Sequence, residues 1–96
     1  MEIKRGAMVK SKAGRDKGRM FLVIDIVDGN YALISDGNLR RIEKPKKKKI
    51  LHLEATGYAK TSEVFEKEEK LTNSGVRKII SSYLSENQTI LYRTGG

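Results

Sequence analysis

The sequence has no cysteine, one proline and one histidine among its 96 residues. Without cysteine, the chain cannot form a disulfide framework, a cysteine-ligated zinc or iron–sulfur site, or a cysteine nucleophile. Long apolar runs are also missing: the first residues carry no signal-like stretch, and the longest apolar run, residues 20–24, is far too short to span a membrane. We therefore expect one soluble, cytoplasmic domain that has no membrane partner.

Residues that form catalytic or metal sites are few and scattered. His52 lies between two leucines, a pattern typical of a strand residue. Asp25 and Asp28 lie near each other in the sequence. No second pair of carboxylates and no histidine accompanies them, so they do not indicate an acid–base or metal site. Gly14 and Gly18 are followed neither by a Lys-Ser/Thr pair nor by a helical pattern, so they do not form a phosphate loop for nucleotides. We therefore expect that the protein is not an enzyme, and the sequence indicates no catalytic set, no bound metal and no cofactor.

Positive charge is what the sequence has in excess, and most of it lies in the first half. The chain has 20 Lys and Arg against 12 Asp and Glu, a net charge of +8. Residues 1–57 hold 14 basic and 7 acidic side chains, a net of +7, whereas residues 58–96 hold 6 and 5, a net of +1. A localised excess indicates a polyanionic partner such as nucleic acid. An ordinary solvated surface is the alternative.

Short strand signals separated by turn residues fill residues 1–57. The turn sequences Asp28-Gly29-Asn30 and Asp36-Gly37-Asn38 are both typical of hairpins. Strands are predicted at residues 8–12, 20–27, 31–35, 39–43 and 50–54. Five short strands in this length predict a mainly β fold, a small antiparallel barrel.

The strand at residues 20–27 is the most apolar, and we expect it to be buried on both faces or nearly so. Strict alternation divides its side chains between the two faces. One face would carry Leu22, Ile24 and Ile26, and the other Phe21, Val23, Asp25 and Val27.

After Gly57 the apolar pattern becomes helical. A short charged helix is predicted at residues 63–70, and a stronger one follows with Asn73 or Ser74 as its N-cap. Residues 89–92 would add a short strand. The stronger helix has one apolar stripe, made of Val76, Ile79, Ile80, Tyr83 and Leu84. We therefore expect two parts: a barrel at residues 1–57, and a helical extension at 58–96 that packs on or beside it.

Residues 13–19, AGRDKGR, form a basic piece directly before the most apolar strand. Its glycines suit a loop with unusual backbone angles. We expect Arg15, Lys17 and Arg19 to project into solvent, so that removing them leaves no buried partner unpaired. Asp16 and Asp25 are expected to pair with nearby lysines or arginines. The buried strand would hold the loop rigidly while the loop presents cations. A hairpin loop whose charges are merely solvated is the alternative.

Residues 5–34, RGAMVKSKAGRDKGRMFLVIDIVDGNYALI, resemble a KOW motif, the strand–loop–strand RNA-binding unit of several ribosomal proteins and transcription elongation factors. Residues 36–57, DGNLRRIEKPKKKKILHLEATG, resemble the end of the SH3-like barrel in the fourteen-e family of archaeal and eukaryotic large-subunit ribosomal proteins. The resemblance implies an SH3-like barrel that contacts ribosomal RNA through its loop and a basic edge. Carried over by position, the RNA-binding residues are Lys12, Gly14, Arg15, Lys17, Gly18, Arg19, Arg40, Arg41, Lys46, Lys47, Lys48 and Lys49.

Residues 58–96 depart from that family. They lack the long lysine- and alanine-rich extension that many of its eukaryotic members carry. The chain can therefore share the RNA-binding surface of the family without sharing its location in the ribosome. A bacterial stand-alone protein with the same motif is an alternative within the resemblance.

The predicted function is binding of structured ribosomal RNA, as a protein of the large ribosomal subunit or as a ribosome-associated factor. Aromatic residues make up only 6% of the chain, which favours recognition of backbone and shape over base stacking. The alternative is a protein-interaction module of SH3-like fold that uses the C-terminal helix, the part that would also contact a neighbouring ribosomal protein. Phosphate binding weakens steeply with salt, whereas an apolar protein interface does not.

Overall fold

A computed structural model shows a five-stranded antiparallel sheet and one long C-terminal helix. It describes residues 3–57 and 71–95, with side chains as far as residue 86. The elements are β1 (Met8–Ser11), β2 (Met20–Val27), β3 (Tyr31–Ser35), β4 (Lys46–Lys49), a 3-10 turn (Ile50–His52), β5 (Leu53–Ala55) and α1 (Asn73–Gly95). The mainly β class with a C-terminal helix is confirmed.

The strands lie in the order β4-β3-β2-β1-β5, and every neighbouring pair is antiparallel. β1 therefore pairs with both β2 and β5. In the described part of the chain no ladder joins the outer strands β4 and β5, so strand pairing does not close the sheet. The 3-10 turn connects these two strands and includes His52, which was predicted in a strand.

The first three strands follow the sequence pattern closely. The predicted turn at Asp28-Gly29-Asn30 connects β2 to β3. Asp28 and Gly29 both have positive φ, 57° and 74°. Two successive residues with positive φ match the twist of a tight hairpin, which Asp-Gly adopts at low steric cost.

A bulge in β2 makes the predicted division of its faces wrong. Val23 lies opposite Ile34, but the next partner, Leu33, lies opposite Asp25, so Ile24 is an extra residue. The extra residue reverses the alternation from that point on. As a result Ile26 packs against the same core as Phe21 and Val23.

The predicted strand at residues 39–43 is also wrong: this segment consists of bends and turns, and the lysine run forms β4 instead. The Asp36 carboxylate accepts hydrogen bonds from the backbone N–H groups of Asn38 and Arg40, both at 2.9 Å. The carbonyl of Arg41 accepts another from Lys44 N–H at 3.0 Å. Because these donors are satisfied locally, the segment folds back as a loop rather than joining a ladder.

The main core lies on one face of the sheet and consists of Val9, Phe21, Val23, Ala32, Ile34 and Leu53. Leu22 points to the other face, because it alternates with Phe21 and Val23. Its register partners are Met8 and Ser35. The helix α1 contacts β2.

The N-cap of α1 is Thr72, not Asn73 or Ser74. Its Oγ1 accepts a hydrogen bond from Gly75 N–H at 3.0 Å, and its carbonyl accepts one from Val76 N–H at 2.9 Å. Asn73 bonds to the loop before β4 instead: its Oδ1 accepts Ile42 N–H at 2.8 Å. The first residues of the helix are therefore attached to the sheet domain through side-chain hydrogen bonds.

The predicted helical stripe is confirmed, and its burial decreases along α1. Val76 is fully buried, Ile79, Ile80 and Tyr83 are half-buried, and Leu84 is exposed. Residues 89–92 continue the helix, so the strand predicted there is wrong. The helix predicted at residues 63–70 lies outside the described residues. Among the helices that are described, none has the length and apolar character needed to cross a membrane.

Candidate nucleic-acid interface

The loop between β1 and β2, residues 12–19, has a defined backbone conformation. Ser11 N–H donates to the carbonyl of Arg19 at 3.0 Å, and Gly18 N–H donates back to the carbonyl of Ser11 at 2.8 Å, so the loop is closed at its base. Gly14 and Gly18 have φ of 76° and 88°, the left-handed region that other L-residues adopt only with strain. We call this segment the basic loop.

The only carboxylate of the basic loop is withdrawn from the surface. Asp16 is 3% exposed. Its Oδ2 accepts a hydrogen bond from Lys46 Nζ at 2.9 Å and lies 3.5 Å from Arg40 Nη2. The predicted pairing with nearby cations is confirmed for Asp16. For Asp25 it is wrong: this carboxylate is exposed, accepts a hydrogen bond from Ile26 N–H at 2.8 Å, and forms no ion pair with the described residues. The partners of Asp16 come from the segment between β3 and β4 and from β4 itself, so Asp16 attaches the loop to that side of the sheet.

Burial by itself raises the pKa of the Asp16 carboxyl, because a buried charge loses hydration. The hydrogen bond and the charge of Lys46 act in the opposite direction and outweigh it, with further help from the charges of Arg40 and Lys48. The net pKa lies below the ordinary value of 3.8, and Asp16 is ionised at neutral pH.

The cations of the basic loop fall into two groups. Arg15 and Lys17 are exposed, as predicted, and Lys12 is exposed as well. Arg19 is half-buried, and its Nη2 lies 3.1 Å from Asp36 Oδ2 in a charged hydrogen bond. The expectation that Arg19 has no structural partner is therefore wrong, whereas Lys12, Arg15 and Lys17 are presented to solvent.

The lysine run divides in the same manner, because it forms a strand. Lys46 and Lys48 are the register partners of Ile34 and Ala32, so their side chains lie on the core face. Lys48 is only 8% exposed, and its Nζ donates to the carbonyl of Ala13 at 2.8 Å. Their aliphatic stems cover the core while their ammonium groups reach the basic loop.

Lys47 and Lys49 lie on the opposite face of β4 and are exposed. Lys47 Nζ lies 4.6 Å from the centre of the Tyr31 ring, within cation–π range. The structure thus brings half of the lysine run to the basic loop and turns the other half away from it.

The two arginines before β4 also differ. Arg40 contacts the Asp16 carboxylate. Arg41 is exposed instead, and its Nε lies 3.4 Å from Glu43 Oε2. Glu43 accepts hydrogen bonds from Asn73 Nδ2 at 2.8 and 3.0 Å, and this hydrogen bonding holds the pKa of its carboxyl below the usual value. Arg41 therefore lies beside the start of α1.

A cleft of about 680 Å³ lies between the basic loop and α1. Gly18 and Arg19 form one side, and residues from Arg77 to Ser85 of the helix form the other. Arg77 Nη1 donates to the carbonyl of Gly37 at 2.6 Å. Sequence reasoning missed Arg77, since nothing in the helical pattern relates it to a residue 40 positions earlier.

The arrangement is suited to binding anions. Among residues 3–57 and 71–86, no group of three or more His, Cys, Asp or Glu is placed to hold a metal ion.

Comparison with protein-family models finds none that matches the chain, and a search of curated proteins finds no matching sequence.

Proposed function

We propose that this protein binds structured RNA through the basic loop of an SH3-like barrel. The observation that carries the proposal is the burial of Asp16. A loop that contained an exposed Asp16 beside Arg15 and Lys17 would be partly self-neutralised. With that carboxylate paired to Lys46 and Arg40, the loop offers only cations to a partner.

The mechanism is contact with phosphates. A loop closed by its own backbone hydrogen bonds holds Lys12, Arg15 and Lys17 at a limited set of positions, so binding loses less conformational entropy than it would in a mobile tail. Each phosphate contact releases condensed counterions, which provides affinity that falls with salt. Since such contacts read position and shape rather than sequence, the RNA is recognised by its fold.

The SH3-like barrel is proposed from the order of the elements. β1 pairs with both β2 and β5, and a 3-10 turn separates β4 from β5. These features support an SH3-like arrangement of the strands, and the resemblance of residues 5–34 to a KOW motif is the further argument for RNA binding. On that basis we propose ribosomal RNA of the large subunit as the partner, with the protein acting as a ribosomal protein or a ribosome-associated factor.

The test removes two exposed loop cations whose side chains form no hydrogen bond or ion pair with the described residues. We expect Arg15→Gln together with Lys17→Gln to lower RNA affinity and to reduce the salt slope of log affinity by roughly 1.4–1.8, at 0.7–0.9 for each phosphate contact. The matched control is Lys4→Gln with Lys78→Gln, which removes the same charge from exposed positions outside the loop. Binding of a structured ribosomal RNA fragment is measured at several salt concentrations.

An unchanged slope in the loop variant, or the same reduction in both double variants, would remove the basic loop from the binding surface. Co-sedimentation with large ribosomal subunits in moderate salt, using subunits from the host of the protein, tests the proposed partner separately. A protein that binds the RNA fragment but stays unbound in that experiment is an RNA-binding factor outside the ribosome.

A second candidate function is protein interaction, supported by exposed leucines. Leu51 is 78% exposed and Leu84 is 42% exposed. Leu84 continues the apolar stripe of α1 beyond the part that the sheet covers. An interface of this kind keeps its affinity as salt rises, so the salt series above distinguishes it from phosphate binding.

A further inference from the structure

The cleft between the basic loop and α1 is a feature that phosphate binding by the basic loop leaves unused. Its volume, about 680 Å³, lies within the range of about 300–1,000 Å³ that is typical of ligand sites. It shares Gly18 and Arg19 with the basic loop, so an RNA held by Arg15 and Lys17 would lie close to it.

The lining of the cleft combines apolar and polar groups. Met20, Ile80 and Leu84 provide apolar surface, and Asn38 and Ser81 provide hydrogen-bonding groups. An RNA base has the same combination, with two apolar faces and a hydrogen-bonding edge.

The charge of the lining also suits a nucleotide. Arg19 and Arg77 stand against one carboxylate, Asp36. Each guanidinium has five N–H donors. Arg19 uses Nη2 on Asp36, and Arg77 uses Nη1 on the carbonyl of Gly37. The contacts fix both groups at the edge of the cleft and leave other N–H donors of each guanidinium able to meet a phosphate.

We infer that this cleft receives one unstacked nucleotide of the bound RNA, so that the protein selects structured RNA with a bulge or loop over an uninterrupted duplex. The inference rests on the proposed function, and it adds a specificity that the basic loop alone does not provide. Base edges in a paired A-form stem are inaccessible in the deep groove, whereas an unpaired nucleotide can leave the helix.

The experiment compares two hairpin RNAs whose sequences differ by one uridine. One carries a single unpaired 2-aminopurine in its stem, and in the other the 2-aminopurine is paired with uridine. We expect the wild-type protein to bind the bulged hairpin roughly tenfold more tightly, and the fluorescence of the bulged base to change on binding.

The variant Ser81→Phe fills the cleft from an exposed helix position, and Ser82→Phe is its matched control, the neighbouring exposed serine that does not line the cleft. Ser81→Phe should bring the affinity ratio close to one while the salt slope stays unchanged, because the loop cations are intact. Ser82→Phe should keep the ratio. Leu84→Ser, which removes apolar wall at a position 42% exposed, is the second variant and should also lower the ratio.

The outcomes separate the two proposals. Equal affinity of the wild-type protein for both hairpins, with a normal salt slope, overturns the cleft inference and leaves RNA binding in place. The cleft inference is also overturned if Ser81→Phe and Ser82→Phe change the preference for the bulged hairpin equally. The cleft would then bind a protein partner or no ligand. Absence of binding to either hairpin overturns the proposed function and the inference together.

Discussion

At the scale of single residues, Asp16 connects the basic loop to the rest of the fold. Its carboxylate contacts Arg40 and Lys46, which lie 24 and 30 positions further along the chain. Removing one member of a buried ion pair leaves its partner as an uncompensated buried charge. Such a change is usually strongly destabilising.

We therefore expect Asp16→Asn to lower the free energy of unfolding by about 1–3 kcal/mol near neutral pH, a value reduced for the partial exposure of its partners. Asp28→Asn is the matched control, since Asp28 is exposed and asparagine tolerates its positive φ. Urea denaturation measures both variants. Equal midpoints for Asp16→Asn and the wild type would show that the cluster contributes nothing to stability.

The pH dependence has a defined sign. Because the pKa of Asp16 is lower in the folded state than the ordinary value of 3.8, its ionised form stabilises the fold above that value. This contribution is lost as the pH falls through the folded pKa. The stability difference between the wild type and Asp16→Asn should therefore be constant near neutral pH and shrink below about pH 4. A difference that grows on acidification would contradict the assignment.

Gly37 and Gly29 provide a second test at this scale. Both have φ of 74°, so alanine is strained at either position. At Gly29 an added Cβ meets nothing within 4 Å, whereas at Gly37 it collides with the carbonyl oxygen of Asn73, in the first turn of α1.

We expect Gly29→Ala to cost about 1–2 kcal/mol from strain alone. Gly37→Ala should cost at least about 2 kcal/mol more, because the helix must move away from the loop. Thermal and chemical unfolding measure the difference. Equal destabilisation by the two substitutions would mean that α1 does not pack against Gly37 in solution.

At the scale of elements, β4 shows how a uniform sequence forms a strand with two different faces. Four consecutive lysines have no apolar periodicity, yet pairing with β3 directs Lys46 and Lys48 to the core face and Lys47 and Lys49 outward. The outward lysines also lie on an edge strand, where charge discourages pairing with another chain.

The alternation predicts different costs for neighbouring lysines. Lys48→Ala should lower the free energy of unfolding by about 1–3 kcal/mol, because it removes a buried stem and the hydrogen bond to the carbonyl of Ala13. Lys49→Ala should change it by less than about 0.5 kcal/mol. Denaturant titration of both variants is the measurement. Similar midpoints would indicate that the run behaves as interchangeable surface charge.

At the scale of the whole molecule, the helix α1 belongs to the same folded unit as the sheet. Val76 has no exposed surface, and Asn73 and Arg77 hydrogen-bond to the segment between β3 and β4. These contacts attach the first turns of α1 to the sheet, whereas the division of the chain at residue 57 stays a prediction.

Two positions of the apolar stripe test this packing. Val76→Ala should destabilise the protein by about 2 kcal/mol, the value for two buried methyl-sized groups, and the loss should appear in one cooperative transition that includes the sheet. Leu84→Ala, at a position 42% exposed, should cost clearly less. Circular dichroism and strand amide signals followed together would detect the alternative, a helix that melts separately while the sheet remains folded.

The sequence by itself determined the features that depend on neighbouring residues. The Asp28-Gly29 turn, the apolar strand β2 and the stripe of α1 are set by local backbone preference and by the periodicity of apolar side chains. The same local chemistry placed Gly14 and Gly18 in a loop and predicted exposed cations at Arg15 and Lys17.

The tertiary structure decided which charges are available to a partner. The partner of Arg19 lies 17 positions away in the chain, that of Lys46 lies 30 away and that of Lys48 lies 35 away. The hydrogen bond from Arg77 to Gly37, which holds α1 beside the cleft, joins residues 40 positions apart. The bulge at Ile24 and the strand made of lysines arise in the same way, from the ladder with β3. Composition and spacing are alike for a buried and an exposed lysine, because the difference is made by long-range pairing that no local pattern encodes.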